Sequence, residues 1–143
     1  MGTSLDRAQE LLDLIVSEAA TAEVTLPTLQ WSQLGDPVIA CESVVTSASS
    51  IVPLDGAPEN CGPPQVVELV GAIARAYVCQ NDDGTDNPAA IEAASAVMAE
   101  DGDVLWTAAY GLTRYLGPLG VSINWVIEGG LVYTSVTVTV GVL

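Results

Sequence analysis

The C-terminal stretch constrains the fold more tightly than any other part of the chain. Val121, Ile123, Trp125 and Ile127 alternate with Ser122, Asn124 and Glu128; after Gly129-Gly130, Val132, Val136, Val138 and Val140 alternate with Tyr133, Ser135, Thr137 and Thr139. Alternation with period two is the pattern of a strand with one face on a core, and two glycines between two such runs mark a two-residue hairpin turn. Counting outward from the glycines predicts the register. Glu128 faces Leu131, Ile127 faces Val132, Trp125 faces Thr134, Ile123 faces Val136 and Val121 faces Val138. A slip of one residue would turn every apolar side chain to the other face, so pattern and turn specify one pairing. Tyr133, Thr137 and Thr139 then lie on the face away from the core.

A hairpin needs partners, and the rest of the chain supplies them. Thr3-Ser4-Leu5-Asp6 has the form of a capping box with Asp in the acidic position. Leu5, Ala8, Leu12, Ile15 and Ala19 follow at helical spacing, which predicts a helix ending near Thr21, before Pro27. Gln30 to Pro37, carrying Trp31, reads as a loop. Val38 to Val52 reads as a strand with an interruption, and the Pro/Gly-rich stretch from Pro53 to Pro64 as a long loop. Val66 to Cys79 reads as a buried strand. Gln80 to Asn87 is the most polar run and predicts an exposed loop. Asn87 caps a helix that opens on Pro88, breaks or kinks at Glu100-Asp101-Gly102-Asp103, and continues to Gly117-Pro118. The predicted order is α, β, β, α, β, β. This is one α+β domain spanning 1–143: an antiparallel or mixed sheet with an N-terminal and a central helix packed on it and a C-terminal Gly-Gly hairpin.

Charge narrows the function classes. Eighteen acids stand against three arginines, with no lysine and no histidine, for a net charge of −15. Gripping nucleic acid needs a basic stripe to neutralise phosphates, and attraction to an anionic membrane needs the same. Both are excluded on that ground. Without histidine, Ser-His and Cys-His nucleophile pairs and the usual zinc ligand are missing too, so no enzymatic activity is expected. No apolar run reaches the length of a spanning helix, and the N-terminus lacks the cationic and apolar regions of a signal peptide.

The remaining constellations are weak. Asp82-Asp83-Gly84-Thr85-Asp86-Asn87 has calcium-loop composition, but a calcium loop built on Gly84 would need its first and last ligands at Cys79 and Ala90. The paired carboxylates of Glu100, Asp101 and Asp103 fall at the expected helix break, where Asp and Gly are ordinary. Trp106 and Tyr110 share a helix face, as core or interface anchors do. Arg75 lies in an apolar strand and Arg114 near a helix C-terminus; each cation is expected to pair with an acid, within the chain or across a subunit boundary. Cys41, Cys61 and Cys79 read as buried small hydrophobes, with a Cys41–Cys61 or Cys61–Cys79 bridge as the alternative. No catalytic, cofactor-binding or metal-ligating residue is assigned.

The layout as a whole carries a resemblance to one family. The run Gly35-Asp-Pro-Val-Ile-Ala-Cys-Glu42 leads into a strand, followed by a Pro/Gly-rich loop with Cys61-Gly62. Then come Arg75-Ala-Tyr-Val-Cys79, an acidic loop, the Pro88 helix, Asp101-Gly-Asp-Val-Leu-Trp106 and the terminal hairpin. Together these resemble the tail terminator proteins of long-tailed actinobacterial phages. The resemblance spans most of the chain through scattered positions; the family's further basic residues around the Arg75 position are absent here.

The resemblance implies a structural virion protein made in the host cytoplasm. It would assemble as a homo-oligomeric, typically hexameric, ring on the tail tube, stop tube polymerisation and dock the head-tail connector or stopper protein. DNA would pass through its channel without specific binding. An acidic subunit suits that role because it repels phosphate, which makes Asp82, Asp83 and Asp86 candidates for a lumen or interface loop; plain solubility explains the same charge equally well. Two alternatives stay open: a head-to-tail connector or stopper of the phage neck, and an acidic small-molecule-binding domain.

Overall fold

The C-terminal hairpin forms as its pattern requires. In the computed structural model, which describes residues 4–53, 65–112 and 120–142, strands β4 (Gly120–Glu128) and β5 (Leu131–Val142) pair antiparallel. Glu128 faces Leu131, Ile127 faces Val132, Trp125 faces Thr134, Ile123 faces Val136 and Val121 faces Val138. Every predicted pair is present. Gly129 makes the turn at φ +38, a backbone region glycine enters without steric cost.

Helix α1 (Ser4–Thr21) precedes three strands, β1 (Leu29–Leu34), β2 (Ser43–Pro53) and β3 (Gln65–Ala76), then helix α2 (Pro88–Tyr110) and the hairpin. The five strands form one mixed sheet in the order β1-β2-β3-β5-β4. β1 runs parallel to β2, and all other neighbours are antiparallel. The fold is α+β, with both helices on one face of the sheet.

That face follows from side-chain alternation. Leu69, Gly71 and Ile73 of β3 sit beside Val138, Val136 and Thr134 of β5 and beside Ala48, Thr46 and Val44 of β2. Ala8, Leu11, Leu12, Ile15 and Ala19 of α1 pack on this row with Val104, Leu105, Ala108 and Ala109 of α2. Gly71 marks the closest approach: a Cβ there would lie 3.1 Å from the Ile15 side chain and 3.3 Å from those of Leu11 and Val136. Thr46 ties helix to sheet, its buried hydroxyl donating to the Ala8 carbonyl at 2.7 Å.

Four expectations need correction. Gln30 to Pro37 is not all loop: Leu29–Leu34 forms β1, its Leu29↔Ser43 to Leu34↔Ala48 pairing with β2 supported by the Ser32–Thr46 hydroxyl contact. Its short, polar sequence hides it, because an edge strand is held by backbone hydrogen bonds more than by apolar alternation. The strand expected from Val38 begins only at Ser43, after Glu42 turns the chain at φ 50, and a bulge interrupts its pairing between Ala48 and Ser50.

The central helix does not break at residues 100–103; α2 runs through them with Asp101 and Gly102 both buried. It stops at Tyr110 and not at Gly117. The Gly111 amide donates to the carbonyls of Thr107 and Ala108, tightening the last turn, and Leu14 of α1 closes to 3.2 Å of where a Gly111 Cβ would stand. At its N-terminus the Asn87 side chain accepts from the Ala90 amide at 3.2 Å, with Pro88 opening the first turn, as expected. Thr3 of the capping box, most of the 53–64 loop with Cys61, and Arg114 lie outside the described residues.

Helix α1 ends in a Schellman turn. The Val24 amide donates to the Ala19 carbonyl at 2.8 Å and the Glu23 amide to that of Ala20 at 3.3 Å, with Glu23 at φ 58. This position normally holds glycine. Glu23→Gly is expected to raise stability by roughly 0.5 kcal/mol, since relief of left-handed strain outweighs the extra freedom of the unfolded chain. Urea denaturation reads this as a higher midpoint; a lower one would show that the side chain carries a favourable contact.

Candidate functional site

The acidic loop between β3 and α2 is the first region to test for function. It is a closed turn. The Asn81 amide donates to the Thr85 carbonyl at 2.7 Å, the Gly84 amide to the Asn81 carbonyl at 2.9 Å, and Gln80 bridges Asp86. Gly84 takes φ +84 at its tip. Asp82, Asp83 and Asp86 are all exposed on this turn. Asp83 braces the turn from within, its carboxylate accepting from both the amide and the hydroxyl of Thr85.

Those two bonds favour the charged form and hold the Asp83 carboxyl below the usual carboxylate range, the hydroxyl bond having the larger effect. The sign is that of a depressed acid: the contact is complete above the ordinary carboxylate pKa and is lost as pH falls through the lowered one. Thr85→Ala is expected to return the Asp83 titration toward the ordinary value. Carbon-13 NMR of the side-chain carboxyl checks it; an unchanged midpoint would mean that the Thr85 hydroxyl is not the cause.

The second acidic cluster divides. Asp101 points inward, 1% exposed, and holds Arg75 in a two-pronged pair, Nε to Oδ2 at 2.7 Å and Nη2 to Oδ1 at 2.8 Å. Arg75 Nη2 also donates to the Thr25 carbonyl at 2.9 Å, joining β3, α2 and the segment after α1. The hydrogen bonds to Asp101 raise the Arg75 pKa, against the opposing effect of burial. Arg75 thus pairs within its own chain, and so does Arg7, with Glu10 at 2.9 Å. Glu100 and Asp103 are exposed and line a shallow hollow with Glu18, away from Asp101. Among the described residues, no group of three or more acidic or cysteine side chains is placed to hold a metal ion.

Apolar surface, which charge counting does not reveal, is the stronger signal. Trp106 and Tyr110 of α2 pack with ring centres 5.0 Å apart and planes tilted by 52°, and stand 44% and 45% exposed. Trp125 and Ile127 of β4 are also exposed, and with Ser95, Met98 and Ala99 they line an open cleft of about 270 Å³. Gly102 makes room for the Trp125 ring, which approaches its Cβ position to 3.1 Å, while the indole N–H donates to the Met98 carbonyl at 3.1 Å. The mid-helix glycine is therefore a packing position.

At the opposite edge, Leu29 and Leu34 of β1 are exposed as well. Neither they nor Trp125 stand out in the sequence as surface: Leu29 borders and Leu34 lies in a segment that reads as a loop, and the spacing of Trp125 fits a core equally well. Cys79 is buried, as expected; Cys41 is exposed, contrary to expectation, because it lies in the connection before β2, off the core.

No protein-family model matches the chain, and no curated protein is significantly similar to it.

Proposed function

We propose that the chain is a structural subunit of a phage tail, a tail terminator that assembles as a ring on the head-proximal end of the tube. It ends tube polymerisation and presents the docking surface for the head-tail connector. The observation that carries this reading is that a chain of net charge −15 leaves large apolar side chains exposed on both outer strands of its sheet, Leu29 and Leu34 on β1 and Trp125 and Ile127 on β4. In a monomer the acids serve solubility, while the exposed Leu29, Leu34 and Ile127 would stay in water at the two edges of the sheet. A ring subunit needs both, acids toward solvent or lumen and apolar strands toward neighbours. The similarity in layout to tail terminators supplies the particular assembly.

Like-charge repulsion opposes the ring, so association strengthens as salt or magnesium screens it. The test is capture by purified proteins: the cognate tail-tube protein on one support, the portal and connector proteins on another. Retention on the tube supports the terminator. Retention on the portal side alone makes the chain a connector or stopper, and retention on neither removes it from the neck. The lumen assignment of the acidic loop has its own test. Asp82→Asn, Asp83→Asn and Asp86→Asn combined should slow DNA ejection from assembled particles, and unchanged ejection would leave those acids as solubilising surface.

A further inference from the structure

Strand edges are directional hydrogen-bonding surfaces, and this sheet leaves two of them, the outer side of β1 and the outer side of β4. Natural edge strands are usually blunted by charged side chains, proline or a bulge, because an unguarded edge pairs with another strand. Among the described residues, neither edge strand carries these guards. β1, Leu-Gln-Trp-Ser-Gln-Leu, contains no charge and no proline, and β4, Gly-Val-Ser-Ile-Asn-Trp-Val-Ile-Glu, carries only its terminal Glu128. Both pair without bulges along their inner sides. In a chain where acids outnumber bases eighteen to three, two nearly uncharged edges oppose little like-charge repulsion to a neighbouring copy.

We infer that β4 of one copy pairs with β1 of the next, so that the sheets of neighbouring subunits run on into each other. Strand polarity favours this pairing. β1 runs parallel to β2, and the three remaining neighbour pairs are all antiparallel, so β1 and β4 point in opposite directions. A second copy set beside the first in the same orientation therefore brings β1 against β4 as an antiparallel pair. The helices of both copies then lie on the same side of the joined sheet. Following the registers across the sheet, Leu34 stands level with Val121 and Gln30 with Trp125, so without a shift β1 faces residues 121–126 of β4, and Leu34 meets Val121 on the helix face.

The contact joins two different edges and is heterologous. Repeated with rotation it closes a ring, whereas pairing of β4 with itself would stop at a dimer. The inference rests on the ring proposed above for its closure, and the experiment separates the two.

The test uses two edge-blocked proteins. Leu29→Glu with Leu34→Glu blocks β1, and Asn124→Glu with Ile127→Glu blocks β4; all four side chains are exposed. Single substitutions at Leu34 and Asn124 serve if a double variant loses the wild-type circular dichroism spectrum. Light scattering in magnesium-containing buffer is expected to give wild-type protein at about six times the monomer mass and each blocked protein at the monomer mass. Their equimolar mixture should double that mass, because one intact β4 meets one intact β1.

Wild-type mass retained by either blocked protein, a dimer formed by the β1-blocked protein alone, or a mixture that stays monomeric would overturn the edge pairing. A strictly monomeric wild type would overturn it too. A ring that survives both blocks removes the edge contact but leaves the tail reading standing. Edge pairing as described, without retention on the tube, does the reverse.

Discussion

Arg75→Ala is expected to cost about 3–5 kcal/mol of folding stability, because it strands a carboxylate in the interior. Asp101 is 1% exposed, and both its oxygens receive hydrogen bonds from the Arg75 guanidinium, at 2.7 and 2.8 Å. Among the described residues no second cation stands ready to replace it. Arg7 is engaged with Glu10 on α1, and the chain has no lysine or histidine. Alanine also removes the bond to the Thr25 carbonyl, which fastens the segment after α1 to β3. Arg75→Met combined with Asp101→Leu should recover most of the loss, since an apolar pair of similar volume avoids desolvating two charges. Urea denaturation of the two single variants and the double checks this. A single-variant loss below about 1 kcal/mol would mean that water reaches Asp101 freely.

Leu105→Ala is the second large effect, about 2–5 kcal/mol. Leu105 is fully buried and lies one turn beyond Asp101 on the inward face of α2. It belongs to the cluster where α2 meets Leu11 and Ile15 of α1 and Val136 and Val138 of β5. Alanine would leave a cavity that two helices and a five-stranded sheet cannot close without moving together. Its size is also informative about α2. A helix broken at residues 100–103 would lose the phase linking Ala94, Met98, Asp101 and Leu105, and truncation at Leu105 would then cost far less. Thermal denaturation followed at the far-ultraviolet helix signal reads the change, and a loss below about 1 kcal/mol would contradict the continuous helix.

Elements set by local contacts are legible in the sequence, and those set by distant partners are not. The hairpin was legible to the residue pair because alternation and the Gly129-Gly130 turn agree, and two independent signals fix one register. The Asn87-Pro88 start was legible because cap chemistry is local. Asp101-Gly102 was misread because acid and glycine together usually punctuate a helix. Their roles here come from partners far along the chain, Arg75 for one and the Trp125 ring for the other, and no local window contains those contacts.

β1 escaped for a related reason: its place is set by pairing with β2, while its own residues alternate poorly. Of the candidate site, the acidic loop could be found by composition. The exposed Trp125 and Ile127 could not, because an apolar residue at strand spacing reads the same whether it faces a core or a neighbour, and Leu29 and Leu34 could not, because they lie beside or within a segment that reads as a loop.

The proposed role in ending a tail tube is tested by electron microscopy of tubes polymerised from cognate tail-tube protein with and without the chain. Shorter tubes are expected in its presence, each bearing one annular cap at a single end, with no further growth when fresh tube protein is added. Tubes of unchanged length with bare ends, in buffer where light scattering finds the chain assembled, would contradict it.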